Sequence, residues 1–252
     1  MNSLASIPGG AVQLRDARRG TERTVTPLPF HAGIAPVTVT ELAAGHLGAA
    51  SANGGDLPAT GVRWFDAVTW CNTASEHDGR EPAYRVDGGA VRWKPAADGY
   101  RLPTEAEWVH ASLGGDTGAR HGLLADIAWA AADGVSGPQP VGRKAANSYG
   151  LVDTLGNVWE WCWDRLDPAR YADYRLLKGG GWADPVWSCR VGVRRGNAPN
   201  AIIEDVGFRV VTGAVMADHT ADGGQGWSER EDRARASISP PLPAGWTPLQ
   251  FD

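Results

Sequence analysis

Much that would assign a function quickly is missing from this 252-residue chain. No apolar run approaches the roughly 20 residues that span a bilayer, so no membrane partner is expected. The opening Met1-Asn2-Ser3-Leu4-Ala5-Ser6-Ile7-Pro8-Gly9-Gly10 has neither the basic start nor the apolar core of an export signal, which points to the reducing cytoplasm. The cysteines are Cys71, Cys162 and Cys189, an odd number with no zinc spacing. The six histidines are scattered without a His-x-x-x-His pair. Gly179-Gly180-Gly181 lacks the lysine and helix of a phosphate cradle, and no Gly-x-Ser-x-Gly elbow or internal repeat occurs. Basic residues are not in excess: 24 Lys and Arg face 29 Asp and Glu, a net charge of −5, which argues against nucleic-acid binding.

What is present is glycine (33) and tryptophan (12), a composition for tight turns and a core filled by large rings. The centre of that core is expected at Gly156-Asn157-Val158-Trp159-Glu160-Trp161-Cys162-Trp163-Asp164. Trp159, Trp161 and Trp163 recur at strand spacing and share one face; Val158, Glu160, Cys162 and Asp164 share the other. Two carboxylates on that second face must be solvated or tied into a metal or hydrogen-bond network.

Around it, residues 7–31 read as a hairpin with a charged tip at Arg15–Arg23. Thr38 with Glu41 forms a capping box, predicting a short helix to about Leu47. A second helix is expected over Phe65–Glu76, with Cys71 as a core thiol, and a hairpin at 83–93 around Gly88-Gly89. Thr104 with Glu107 starts a third helix, ending near Leu113 and carrying His110. Residues 114–150 read as long loops and Val206–Val211 as the last strand. Residues 1–213 are expected to form one domain and 214–252, rich in Asp, Gly, Ser, Arg and Pro, a poorly ordered tail in which Trp227, Trp246 and Phe251 could dock.

Taken in order, several stretches resemble the sulfatase-modifying-factor, or formylglycine-generating-enzyme, domain over about residues 5–212. They are Ile7-Pro8-Gly9-Gly10, Pro36-Val37-Thr38, Trp64-Phe65-Asp66-Ala67 with Cys71-Asn72, Gly99-Tyr100-Arg101-Leu102-Pro103-Thr104-Glu105-Ala106-Glu107-Trp108, Gly156–Trp161, Gly179–Trp182 and Gly207-Phe208-Arg209. The resemblance implies an irregular, loop-rich α+β fold of the C-type-lectin-like kind. It also implies a structural calcium on the carbonyls of Leu155, Gly156 and Val158 and the carboxylate of Glu160, a hard-oxygen set suited to that ion. The alternative is a metal-free site with Glu160 in a salt bridge.

Members of that family do different things, so the resemblance leaves function open. Formylglycine-generating enzymes use copper, oxygen and two cysteines that follow a Gly-Gly-Ser turn. Relatives include the substrate-binding parts of iron-dependent sulfoxide synthases and lectin-like binding proteins. Here Gly181 replaces the serine and Asp184 stands at the first cysteine. Counted without gaps, Cys189 falls at the second. Aligned from Arg190 through Pro199 to Gly207-Phe208-Arg209, which keeps more landmarks, Cys189 falls at a non-catalytic aromatic position. Either way the pair is broken, and one thiolate cannot give the two-sulfur ligation that soft Cu(I) favours.

The sequence therefore predicts a binding or accessory module. Its ligand cleft lies between Gly181 and Asp205, with Trp182, Asp184, Trp187, Arg190, Arg194, Arg195 and Asn197 facing a small polar molecule, a peptide or a partner protein; a structural role, favoured for Trp182 and Arg209, would instead make the indoles core and the arginines partners in structural ion pairs. The alternative is a metal- and oxygen-dependent oxidoreductase of altered chemistry, acting on a thiol or small molecule. In it Cys189 and Asp184 are the catalytic candidates, copper or iron the metal, and Arg190 lowers the Cys189 pKa; against this stands a packed, solvent-shielded Cys189, which the sequence favours.

Overall fold

The computed structural model describes residues 4–16, 20–49, 56–213 and 223–237. The first four strands are nested: β1 (Leu4–Ile7), β2 (Val12–Asp16), β3 (Thr21–Val25) and β4 (Phe30–Gly33). β2 and β3 form the expected hairpin, Val12 opposite Val25 and Asp16 opposite Thr21, while β1 and β4 pair in a separate sheet. The tip at 17–19 lies outside the described residues.

α1 (Val39–Ala44) starts at the expected capping box between Thr38 and Glu41. It stops before Leu47 because Gly45, at φ 75°, takes the left-handed cap and donates to the Glu41 carbonyl. α2 (Trp64–His77) buries Trp64, Val68 and Cys71. β5 (Tyr84–Asp87) and β6 (Ala90–Trp93) make the hairpin around Gly88. α3 (Glu105–Leu113) opens on the Thr104–Glu107 box and closes at Gly114. His110 on it is packed, with Nε2 at 2.8 Å from the Pro8 carbonyl. The stretch 114–150 is loop apart from one turn, α4 (Leu124–Ile127), and a 3-10 turn at Ala131–Asp133.

β7 (Trp159–Arg165), α5 (Pro168–Tyr171), β8 (Arg175–Lys178), β9 (Arg195–Asn197) and β10 (Val206–Gly207) follow. Their strands form a sheet in the order β10-β7-β8-β9. The alternation along β7 feeds two cores. Trp159, Trp161 and Trp163 pack with Trp64, Leu102 and Phe208, while Cys162 packs with Trp108, Leu155, Leu176 and Cys189. Two of these buried indoles donate to the backbone, Trp161 Nε1 to the Val62 carbonyl at 2.8 Å and Trp64 Nε1 to the Cys162 carbonyl at 3.0 Å, whereas Trp163 Nε1 has no such acceptor among the described residues.

The carboxylates on the second face of β7 are buried and tied to α3. Trp108 Nε1 donates to Glu160 at 2.7 Å, and the Glu105 amide donates to Asp164 at 2.8 Å. Burial, then the Glu105 carboxylate, push the Asp164 pKa up to about 7. The folded state thus holds a proton on Asp164 that the unfolded chain, with an ordinary carboxylate near 4, releases between about pH 4 and pH 7. Stability contributed at this residue falls as pH rises through that window and is level above it. Asp164→Asn, whose amide oxygen can still accept from Glu105, is expected to flatten that part of the curve. Urea midpoints measured from pH 4 to pH 8 check this; parallel curves for the two proteins would contradict it.

The last strand differs from expectation. Val206–Gly207 pairs parallel with β7, but β11 (Val211–Thr212) joins β4 in the other sheet. Arg209 sits between them and holds the crossing, donating to the carbonyls of Gly33 at 2.7 Å and Val152 at 2.8 Å.

The stretch expected as a tail also differs at 223–237. There β12 (Gly223–Gly224) and β13 (Trp227–Ser228) make a small hairpin, and α6 (Glu229–Ala236) follows. The polar residues that suggested disorder are used as buried partners. Gln225 Oε1 accepts from the Leu28 amide and its Nε2 donates to Glu107. Asp232, fully buried, accepts from Arg165 at 2.9 Å and Trp227 Nε1 at 3.0 Å. Trp227 packs against Trp93 and Trp163. Residues 214–222 and 238–252, including Trp246 and Phe251, lie outside the described residues. Among the described residues no helix is long and apolar enough to cross a membrane.

Candidate functional site

The segment expected to line the ligand cleft begins at the glycine run that leaves β8. Gly179 and Gly180 take φ of 103° and 85°, conformations that favour glycine. A Cβ on Gly180 would stand 2.8 Å from Cys189 Sγ, so this turn and Cys189 are packed on each other. At Gly181 two carboxylates converge: a Cβ there would lie 2.9 Å from Asp205 Oδ2 and 3.3 Å from Asp184 Oδ2. Asp184 Oδ2 also accepts from Trp159 Nε1 at 2.6 Å and from the Gly181 amide at 2.8 Å. It therefore clamps the loop to β7. Asp205 has its pKa raised by burial and by Asp184, while Arg195 acts in the opposite direction.

Of the residues expected in the cleft, Trp182 is half-buried and anchored through its amide to the Asn157 carbonyl. Trp187 is 60% exposed and Arg190 is exposed. Arg195 lies over the Trp159 ring at 5.4 Å. Asn197, half-buried, accepts from the Ala198 amide at 2.8 Å. Arg194 does not belong to the set. It faces α3 and β2, with Glu105 at 2.9 Å and Asp16 at 3.2 Å, because alternate residues of an extended segment point to opposite sides. Asp205, the expected far boundary of the cleft, is brought to Gly181 by the tertiary fold.

Cys189 is not an activated thiol. It is buried, and burial together with Asp184 pushes its pKa up to about 11, although Arg120 acts against them. Arg120, rather than Arg190, is the guanidinium beside it, donating to the Cys189 carbonyl at 2.7 Å. Cys71 and Cys162 are buried core thiols with raised pKa values. Among the described residues no three His, Cys, Asp or Glu side chains gather to hold a metal ion.

Glu160 was the charged member of the calcium set. Arg209 reaches its Oε1 at 2.8 Å and Oε2 at 3.2 Å, and Trp108 takes Oε2 as well. In this arrangement the Glu160 carboxylate forms a salt bridge, and it would have to give up these donors to bind a cation with the Leu155, Gly156 and Val158 carbonyls.

Comparison with known proteins gives this geometry a context. The model of the sulfatase-modifying factor enzyme 1-like domain matches residues 1–214. A formylglycine-generating enzyme of Streptomyces coelicolor is 30% identical over 209 residues, covering 65% of this chain and 65% of that protein. The inactive C-alpha-formylglycine-generating enzyme 2 of Mus musculus is 32% identical over 179 residues, covering 63% of this chain. The chain spans about half of that relative's length. Among solved structures, Treponema denticola variable protein 1 superposes with a TM-score of 0.72 at 27% identity, over 83% of this chain and 94% of that one.

Proposed function

From the premise that this chain belongs to the sulfatase-modifying factor enzyme 1-like family, with its irregular C-type-lectin-like α+β fold, we propose that it serves as a binding or accessory module. Its ligand is a small polar molecule, a peptide or a partner protein, taken at the cleft between Gly181 and Asp205. The observation that carries this reading is the state of the Asp184–Cys189 segment. Asp184 is committed to Trp159 and Gly181, and Cys189 is a lone, buried thiol. Neither group is free to hold copper or to attack a substrate. Trp187 and Arg190 instead present an indole and a guanidinium outward, groups that recur in binding hot spots. The free thiols suit the reducing cytoplasm. That the family also contains proteins named as inactive supports a non-catalytic use of the scaffold.

The experiment is a metal count on the full chain after loading with copper, iron and calcium, followed by oxygen uptake with a cysteine-containing peptide. The expected result is no stoichiometric copper or iron, no calcium at Glu160 while Arg209 holds it, and no oxygen consumed. Stoichiometric copper or iron that disappears in Cys189→Ser, with oxygen uptake, would overturn the binding reading in favour of an oxidoreductase.

A further inference from the structure

Three lysines occur in the chain: Lys94, Lys144 and Lys178. Lys94 pairs with Glu81 and Lys144 with Asp133, both with some solvent contact. Lys178 is 1% exposed. It ends β8, and its Nζ lies 5.5 Å from the centre of the Trp108 ring and 3.5 Å from Glu105 Oε1. That oxygen is already met by Arg194 at 2.9 Å. The acceptor that would hold Lys178 as an ammonium is thus shared with a closer guanidinium.

Lys178 also lines a cavity of about 340 Å³ whose apolar walls are Val12 and Leu14 of β2, Val109 and Leu113 of α3, and Val191. Burial lowers the Lys178 pKa; Glu105 opposes this and Arg194 adds to it. Desolvation beside a second cation is the setting in which a lysine becomes a nucleophile. The Gly181–Asp205 cleft uses none of these groups.

We propose that Lys178 is a carbonyl-capturing amine, and that the cavity between β2 and α3 admits a small apolar aldehyde to it. The Nζ lone pair forms a bond to the carbonyl carbon while the C=O π pair moves to oxygen. Glu105 takes a proton from Nζ and delivers it to that oxygen, giving a carbinolamine. The hydroxyl then leaves as water, with a second proton from nitrogen passing through Glu105, and a C=N bond remains. Nothing is oxidised or reduced.

The test uses 3-methylbutanal on the full folded chain, with cyanoborohydride to fix any imine and peptide mass spectrometry to locate it. Lys178 is expected to gain the alkyl group before Lys94 or Lys144. The adduct is lost in Lys178→Arg, which keeps the cation at Glu105, while Lys94 and Lys144 label as before. Labelling of Lys94 and Lys144 with Lys178 reacting only after unfolding in urea would overturn the proposal, and this comparison needs no variant.

Discussion

Arg209→Ala is expected to lower the free energy of unfolding by about 3–5 kcal/mol, the usual cost of stranding one partner of a buried ion pair. Arg209 and Glu160 are 2% and 0% exposed. The guanidinium gives Glu160 two hydrogen bonds and donates two more to the Gly33 and Val152 carbonyls. Its removal leaves a carboxylate and two carbonyls short of donors in a dry interior. Arg209→Lys is expected to recover part of the loss, since an ammonium supplies the charge without the fork. Pairing Arg209→Met with Glu160→Leu should cost less than the Arg209→Ala single change, because no buried charge then lacks a partner. Urea titrations of the set decide it; a loss below about 1 kcal/mol for Arg209→Ala would mean that Glu160 is supported by something else.

Gly156→Ala is expected to prevent folding. The residue sits at φ 69°, and a Cβ would come 2.2 Å from the Trp129 carbonyl oxygen and 2.9 Å from its carbon and nitrogen. The neighbour is backbone, and the Asn157 amide donates to that same carbonyl, so it has no room to retreat. Gly134→Ala is the matched control, at φ 68° with nothing within 4 Å. It carries only the left-handed strain of about 1–2 kcal/mol. Soluble yield and thermal melting of the two variants separate clash from strain; equal melting points would show that the Trp129 segment moves aside freely.

The parts of the fold that were legible are those set by neighbours in sequence. The capping boxes at Thr38 and Thr104 and the turn at Gly88 need no distant partner. The alternation of Trp159, Trp161 and Trp163 marked the centre of the core, and the ordered motifs marked the family. What stayed hidden depends on contacts far apart along the chain. Arg194 lies one residue from Arg195 yet serves Glu105, and nothing nearby in sequence says so. Gln225 and Asp232 look like solvated polar residues until Glu107, Leu28 and Arg165 are placed beside them. Cys189 next to Arg190 left an activated thiol and a packed one open, and burial with Asp184 decides for the packed one. For Glu160 the sequence left a calcium ligand and a salt bridge both open, because the partner that makes the salt bridge, Arg209, lies 49 residues later.

The crossing of residues 206–212 from one sheet to the other also bears on how the chain is made. During synthesis β4 can pair with β1 early and β7 with β8 later, yet the second edge of each is covered only when Val206–Gly207 and Val211–Thr212 leave the ribosome. Until then a nascent chain shows unpaired strand edges beside a cluster of indoles, the kind of surface on which chains aggregate or chaperones sit. Pairings this distant are slow to find. A translation arrest before residue 206 should therefore leave a protease-sensitive intermediate, and release of the next few residues should convert it to the resistant form in a single step.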